Sequence, residues 1–208
     1  MFRTCRLVSK KLIVIAAFLV AFGLALHASD APKSAAPRPG EPTDPKAKKT
    51  FASAIDWQNH GRMNAAIDDF RKANKQDGGK CYQCVSNAYR LAFEIGDFKI
   101  ATEIAREFLP AAQTDAEKAL AHFLLGRCLV EQCTHDKKKN DLFAESAQEL
   151  KAALDLDRRI APAHYYRGFA LANLQQDDPA RQEFKAFLDQ DRWMPDLHSR
   201  AEHYLERV

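Results

Sequence analysis

The most reactive side chains of the sequence are four cysteines in two local pairs, Cys81 with Cys84 and Cys128 with Cys133. Residues three apart on a helix fall within the Cα separation of about 4.4–6.8 Å that a disulfide tolerates, so the first pair can be joined where a helix begins. Joining the second pair requires its helix to end or bend between the two residues. The spacing therefore predicts two local disulfides in a compartment that permits them.

Two other chemistries are open to the same cysteines. A thiol at a helix N-terminus is acidified by the helix dipole and can serve in thiol–disulfide exchange, but such a site needs a βαβ setting that this sequence does not show. A zinc site needs all four sulfurs around one ion, whereas Cys84 and Cys128 are expected about 10 Å apart along neighbouring helices. The cysteines thus favour disulfides, and we expect no metal.

Other catalytic motifs are missing from the sequence. It contains no HExxH motif and no glycine-rich phosphate loop, and its serines, histidines and aspartates form no nucleophile triad pattern. His122 and His164 are expected to fill packing positions between helices rather than to bind a metal. The sequence predicts a protein that is not an enzyme and that carries no cofactor.

Residues 1–28 have the pattern of an export signal or a short membrane anchor. Residues 3–11 carry four positive charges and no acid, and the 15-residue apolar run 12–26 follows. A membrane-spanning helix needs roughly 17–20 such residues, which favours a signal cleaved after Ala28 over an uncleaved anchor. Both interpretations place the remainder outside the cytoplasm, as a periplasmic or secreted protein or as one anchored in the inner membrane and facing the periplasm.

The segment that follows, residues 29–46, contains five of the nine prolines. Its composition predicts an extended, disordered linker, with folding beginning near Ala47.

Charge and composition narrow the class of the folded part. The formal net charge of +3 becomes 3 − 4 = −1 once the four leader charges are set aside, so the chain lacks the basic surplus of a nucleic-acid-binding protein. Glycine is scarce, 8 of 208 residues, and helix-forming residues are abundant. This composition predicts an all-α protein and excludes all-β and Rossmann folds.

Residues 47–192 show self-similarity at a period of about 34 residues, each copy having the apolar spacing of two helices. The third copy carries an insertion of about eight polar residues near 134–141. We expect a solvated loop there; the alternative is that Lys137–Lys139 contacts an acidic partner or a lipid headgroup. Residues 193–208 read as a helix that caps the last copy. The four copies begin at Ala47, Tyr82, Ala119 and Ala161.

Small residues and aromatics recur at fixed places in these copies. The clearest are the turn Gly96-Asp97-Phe98, the pair Leu125-Gly126, and the alternation of Ala66, Phe70 and Ala73. This pattern resembles the tetratricopeptide repeat of exported bacterial proteins. The resemblance implies a right-handed α-solenoid of about four helix–turn–helix repeats with a C-terminal capping helix.

The resemblance also implies a concave surface formed by the first helix of each repeat and used to bind proteins or peptides. Arg90 and Arg127 are expected side by side there, sharing a carboxylate of the partner; the alternatives are that they spread apart in solvent and that the aromatics pack between helices. We expect membrane contact only through an uncleaved leader. The predicted partner-binding residues are Phe51, Ile55, Arg90, Phe93, Phe123, Arg127, Tyr165 and Phe169.

A second function fits the same residues. The sequence is similar to the tetratricopeptide portion of chains that also carry a thioredoxin-like domain. It could therefore be an accessory segment of an envelope thiol–disulfide system whose catalytic domain is not in this chain.

Overall fold

A computed structural model describes residues 40–136, 140–191 and 193–207. The export signal, most of the linker and the three lysines of the insertion lie outside the described residues. Within those ranges the chain forms nine α-helices and no strand. They are α1 (Pro45–Asn59), α2 (Met63–Gln76), α3 (Tyr82–Glu94), α4 (Phe98–Ala111), α5 (Asp115–His135), α6 (Leu142–Leu156), α7 (Ala161–Asn173), α8 (Asp177–Gln190) and α9 (Pro195–Arg207).

Each helix packs against the next along the chain, and α5 also contacts α7. The first eight helices form four helix–turn–helix pairs, and α9 covers the last pair through its buried Ala201. This is the predicted all-α solenoid with a capping helix. No helix in the described part of the chain combines the length and the apolar character needed to cross a membrane.

Glycines let the two helices of a pair approach closely. A Cβ on Gly168 would lie 3.2 Å from the ring of Phe184, and one on Gly126 would lie 2.5 Å from Leu150 Cγ. The third repeat has Ser146 where the fourth has Ala180. Its hydroxyl donates a 2.8 Å hydrogen bond to the carbonyl of Gly126, which satisfies a buried polar group within the tight contact.

The turns between the helices of a pair use a left-handed backbone residue. Gly61 and Gly96 take φ values of 71° and 76° in the first and second repeats, which glycine adopts without a steric penalty. The fourth repeat places Gln175 at this position, with φ of 60°. That turn is therefore strained by about 1–2 kcal/mol relative to a glycine turn.

Ion pairs join the second helices of neighbouring repeats. Arg71 of α2 contacts Glu107 of α4 at 2.6 Å, and Arg106 of α4 contacts Glu145 of α6 at 2.7 Å. The hydrogen bond with Glu107 raises the pKa of Arg71 above its ordinary value, although burial works in the opposite direction. These contacts tie the first repeat to the second and the second to the third.

The predicted linker 29–46 differs from the structure at its carboxyl end. Helix α1 begins at Pro45, two residues before Ala47, and residues 40–44, which we call the N-terminal strap, pack on the repeats. Pro42 is fully buried. A proline-rich composition argues against helix and strand, but it does not prevent a proline ring from filling an apolar gap.

One carboxylate holds the strap in place. Asp77, which ends α2, accepts hydrogen bonds through Oδ1 from the backbone N–H and hydroxyl of Thr43, at 2.7 and 3.0 Å, and from the N–H of Asp44, at 2.8 Å. At the other end of the strap, the N–H of Gln83 donates to the carbonyl of Gly40 at 2.9 Å. The strap is thus fixed to both α2 and α3.

The insertion in the third repeat lengthens a helix as well as a loop. Helix α5 has 21 residues and continues through Thr134 and His135, which were expected in the loop. The ring of His135 packs 4.9 Å from that of Phe98, and Gln132 donates to the Phe98 carbonyl at 3.1 Å. These contacts with the preceding repeat stabilise the extra turn, so α5 extends into the segment that was predicted as a loop.

Candidate binding groove

The first helices of the repeats are linked by the side chain of Arg127 in α5. Its guanidinium carbon lies 3.9 Å from the centre of the Phe93 ring in α3 and 5.5 Å from that of Tyr166 in α7. Arg127 Nε also donates to the Tyr166 hydroxyl at 3.2 Å. Three successive first helices therefore share one cation–π contact network, which lies along their common surface.

Glu131 extends this network by one helical turn. The hydroxyl of Tyr166 lies 3.5 Å from Glu131 Oε1, so it can accept from Arg127 and donate to the carboxylate. Burial raises the pKa of the Tyr166 phenol, which keeps it protonated. We call the surface along this network the groove. In it, Arg127 and Glu131 lie on either side of the Tyr166 hydroxyl.

A cleft of about 350 Å³ opens beside this network, between α5, α7 and α9. The rings of Tyr165, Tyr166 and Phe169 form its apolar part. Glu131 of α5 and Arg200 of α9 contribute opposite charges. Burial raises the pKa of the Tyr165 phenol, although the nearby Arg200 works in the opposite direction. Such a cleft suits an extended peptide that presents an apolar side chain together with polar backbone groups.

Of the residues predicted for the binding surface, four lie in this groove, and one of them, Tyr165, is largely buried. Phe93 and Arg127 form the cation–π contact, and Phe169 lines the cleft. Phe93 and Phe169 are half-buried and Arg127 is also partly accessible.

Other members of the predicted set pack inside the solenoid. Tyr165 and Phe123 are only 5% and 8% exposed, because their rings pack against those of neighbouring helices. Phe51 and Ile55 are half-buried against the core of the first repeats. Phe123 and Tyr165 are thus corrections to the predicted surface: they hold helices together, although Tyr165 keeps one edge in the cleft. Phe51 and Ile55 are as buried as Phe93 and stay predictions.

Arg90 and Arg127, which were expected side by side, each have a partner within the chain. Arg90 forms an ion pair with Glu94 of its own helix at 3.1 Å, whereas Arg127 lies on the Phe93 ring. Each guanidinium has its own partner, so no shared anion is needed between them.

Sequence reasoning missed Glu131, Tyr166 and Arg200. A signal for the first was present, since Glu131 follows Arg127 by four residues just as Glu94 follows Arg90, the spacing of neighbours on a helix face. The position of Arg200 depends on how α9 docks, which the repeat pattern does not specify.

The repeat-equivalent histidines form hydrogen bonds with glutamates. His122 Nδ1 lies 2.7 Å from Glu149 Oε2, and His164 Nδ1 lies 2.6 Å from Glu183 Oε2. Each pair joins the first helix of a repeat to the second. In the described part of the chain, no three His, Cys, Asp or Glu side chains lie together as metal ligands.

The two cysteine pairs differ in the structure. Cys81 and Cys84 are joined by a disulfide, with Cα atoms 5.2 Å apart, and Cys81 caps the start of α3. Cys128 and Cys133 are not joined, which corrects the second predicted disulfide. Both lie in the uninterrupted helix α5, where residues five apart point to different sides.

Helix pairs stacked in this way, with glycine-mediated contacts and an aligned first-helix surface, define the tetratricopeptide-repeat fold. Solved structures of such proteins share it. A crystal structure of MamA superposes with a TM-score of 0.57 at 17% identity, covering 77% of this chain and 88% of that one. The thermophilic tetratricopeptide-repeat protein TTC0263 of Thermus thermophilus gives 0.56 at 19% identity, covering 77% and 82%. MamA of Desulfovibrio magneticus RS-1 gives 0.53 at 19% identity, covering 69% and 75%.

No protein-family model and no curated protein matches the chain. The likeness to solved structures confirms the predicted repeat fold.

Proposed function

We propose that this protein is an exported scaffold that binds an extended segment of a protein partner in the groove described above. The observation that carries the proposal is the cleft between α5, α7 and α9, which is lined by aromatic rings together with Glu131 and Arg200. Aromatic and arginine side chains at such positions are typical of binding hot spots. The charges on opposite sides can fix the direction of a bound backbone. The role is one of binding and not of catalysis.

A displayed library of random peptides tests the groove. We expect the wild-type protein to enrich certain peptides. Their binding free energy should be weakened by about 1–3 kcal/mol in Phe169→Ala, and their binding should also be weaker in Glu131→Gln. Lys185→Ala, a change at an exposed position on α8, is the matched control and should bind like wild type. Peptides that bind all four proteins equally, or no enrichment at all, would refute a peptide-binding groove.

Export is part of the proposal and depends on residues 1–28. The four positive charges followed by the apolar run 12–26 support it. Sequencing the amino terminus of the protein isolated from the envelope should give Ser29 for a cleaved signal or Met1 for an anchor. A soluble cytoplasmic protein beginning at Met1 would contradict export.

An accessory role in an envelope thiol–disulfide system is the second candidate. It is favoured by the Cys81–Cys84 disulfide at the start of α3. In that case, mixing the protein with a periplasmic dithiol reductase should yield a mixed disulfide that involves one of these two cysteines.

A further inference from the structure

The disulfide between Cys81 and Cys84 is covered by the N-terminal strap. Both cysteines are 0% exposed, and the carbonyl oxygen of Gly40 lies 3.7 Å from Cys81 Sγ. The strap also passes over the next residue, because a Cβ on Gly40 would lie 3.2 Å from Tyr82 Cβ. On the other side, the disulfide packs against Ala73 and the ring of Phe51. The strap is therefore a part of this cover that lies outside the helices.

One side chain accepts several hydrogen bonds from the strap. Three of them end on Asp77 Oδ1 at the end of α2, and a backbone hydrogen bond at Gly40 joins the strap to α3. Changing Asp77 thus removes three hydrogen bonds of the strap at once. The helices below it are held by their own packing, and the backbone N–H of Cys81 is held separately by Asn74 Oδ1 at 3.1 Å.

We propose that the Cys81–Cys84 pair is a thiol–disulfide exchange site whose access is controlled by the N-terminal strap. With the strap in place both cysteines are buried, and the disulfide reacts slowly with reductants. When the strap lifts from Asp77, Cys81 Sγ is uncovered and reacts with a dithiol. This inference does not depend on the binding groove.

The proposed exchange between the Cys81–Cys84 disulfide and a dithiol has two steps. A thiolate of the dithiol attacks Cys81 Sγ, the S–S bond breaks, and Cys84 leaves as a thiolate that takes up a proton. The second thiol of the reductant, after losing its proton, attacks the mixed disulfide and releases Cys81 as a thiolate, which takes up the second proton. The protein gains two electrons and two protons, and the dithiol becomes a disulfide.

The helix start stabilises the released Cys81 thiolate. The N–H of Cys84 points at Cys81 Sγ at 3.2 Å, and a helix N-terminus favours a negative charge. Cys81 is therefore suited to be the leaving sulfur in the second step.

Reduction of the full-length protein by dithiothreitol under native conditions tests the proposal, with alkylation and peptide mapping at timed intervals. We expect Asp77→Ala to be reduced at least about tenfold faster than wild type, since hydrogen bonds to a charged acceptor are lost. Thr43→Ala, which removes only the hydroxyl contact, should be accelerated less. Asp157→Ala is the matched control, because Asp157 ends α6 as Asp77 ends α2 but binds Arg159 instead of a strap.

Alkylation of Cys128 in the same samples reports global unfolding, since this thiol of α5 is buried in the hydrophobic core of the protein. The proposal requires reduction of the disulfide to accelerate while alkylation of Cys128 stays slow. It is overturned if both rates rise together in Asp77→Ala and Thr43→Ala. It is also overturned if neither variant reacts faster than wild type, or if wild type is reduced as fast as the denatured chain.

Discussion

Gly126 of α5 faces Leu150 of α6 so closely that a Cβ at the glycine would lie 2.5 Å from the leucine Cγ. This contact sets the distance between the two helices of the third repeat. Ser146 lies beside it and bonds the glycine carbonyl.

We therefore expect Gly126→Ala to destabilise the protein by about 1–3 kcal/mol through overpacking, although alanine is intrinsically the better helix former by about 1 kcal/mol. Urea denaturation measures the change. Adding Leu150→Ala should cost less in the Gly126→Ala background than in wild type, because the two changes compensate in volume. Strictly additive effects would show that the contact does not limit the approach of the helices.

Arg127 should contribute to stability as well as to binding. Its removal breaks the contacts with Phe93 and Tyr166, so we expect Arg127→Ala to lower the free energy of unfolding by about 1–2 kcal/mol. Arg90→Ala, at the same place in the preceding repeat, loses only an exposed pair with Glu94 and should cost under about 0.5 kcal/mol. Equal effects of the two changes would contradict a bridging role for Arg127.

The fourth-repeat turn should be improved by a glycine. Gln175→Gly removes about 1–2 kcal/mol of left-handed strain but adds about 0.5–1 kcal/mol of chain entropy to the unfolded state. We expect a net gain near 0.5 kcal/mol in thermal or urea denaturation. The reverse change at the same turn position of the second repeat, Gly96→Gln, should destabilise by a similar amount, since that glycine has φ of 76°. A loss of stability in Gln175→Gly would mean that the side chain makes a compensating contact.

Cys128 should be unreactive in the folded protein. Burial raises the pKa of its thiol to about 12, although its hydrogen bond with Tyr89 lowers it. Alkylation by iodoacetamide at pH 8 should therefore proceed at the rate of unfolding, and it should become fast in urea. Rapid alkylation of the folded chain would show that α5 opens locally at this position.

The repeat spacing was sufficient to predict contacts within a repeat. Gly126 lies where two closely packed helices need a small residue. Gly96 lies in the turn between two helices, where the backbone needs a residue that adopts a left-handed conformation. The contact of Arg127 with Phe93 and Tyr166 joins three repeats. It depends on how the helices are rotated against each other, which side-chain packing decides and a repeat period does not.

Two further differences between the predicted and the observed structure come from contacts between segments that are distant in the sequence. The length of α5 depends on contacts of His135 with the preceding repeat, which a polar local sequence does not show. Pro42 lies in a proline-rich segment and is nevertheless buried. Its burial depends on Asp77, 35 residues further along the chain, which holds the strap in place. The composition of a segment indicates whether its own residues can bury one another. It does not indicate whether a distant segment will pack on them.

The attachment of α9 should weaken in acid because of Asp191. Burial by itself would raise the pKa of this carboxyl group, but the backbone N–H groups of Trp193 and Met194, at 3.1 and 3.0 Å, and the facing His198 hold it below the ordinary value. A pKa that is lower in the folded than in the unfolded state contributes stability at neutral pH. The contribution is complete above the unfolded pKa of about 3.9 and is lost as the pH falls through the folded value.

Hydrogen exchange of peptides from residues 193–207, measured between pH 5 and pH 3 and corrected for intrinsic rates, should therefore show protection that falls with pH by up to about tenfold per unit, the limit for one titrating group. Asp191→Asn should reduce protection already at pH 5 and flatten the pH dependence, because its side chain no longer titrates. Asp196→Asn changes an exposed acid in the first turn of the same helix and should leave the profile as in wild type. If Asp191→Asn kept the pH dependence of wild type, another group would control the docking of α9. The cleft that α9 completes with α5 and α7 should lose peptide binding over the same pH range, because Leu197 and Arg200 leave with the helix.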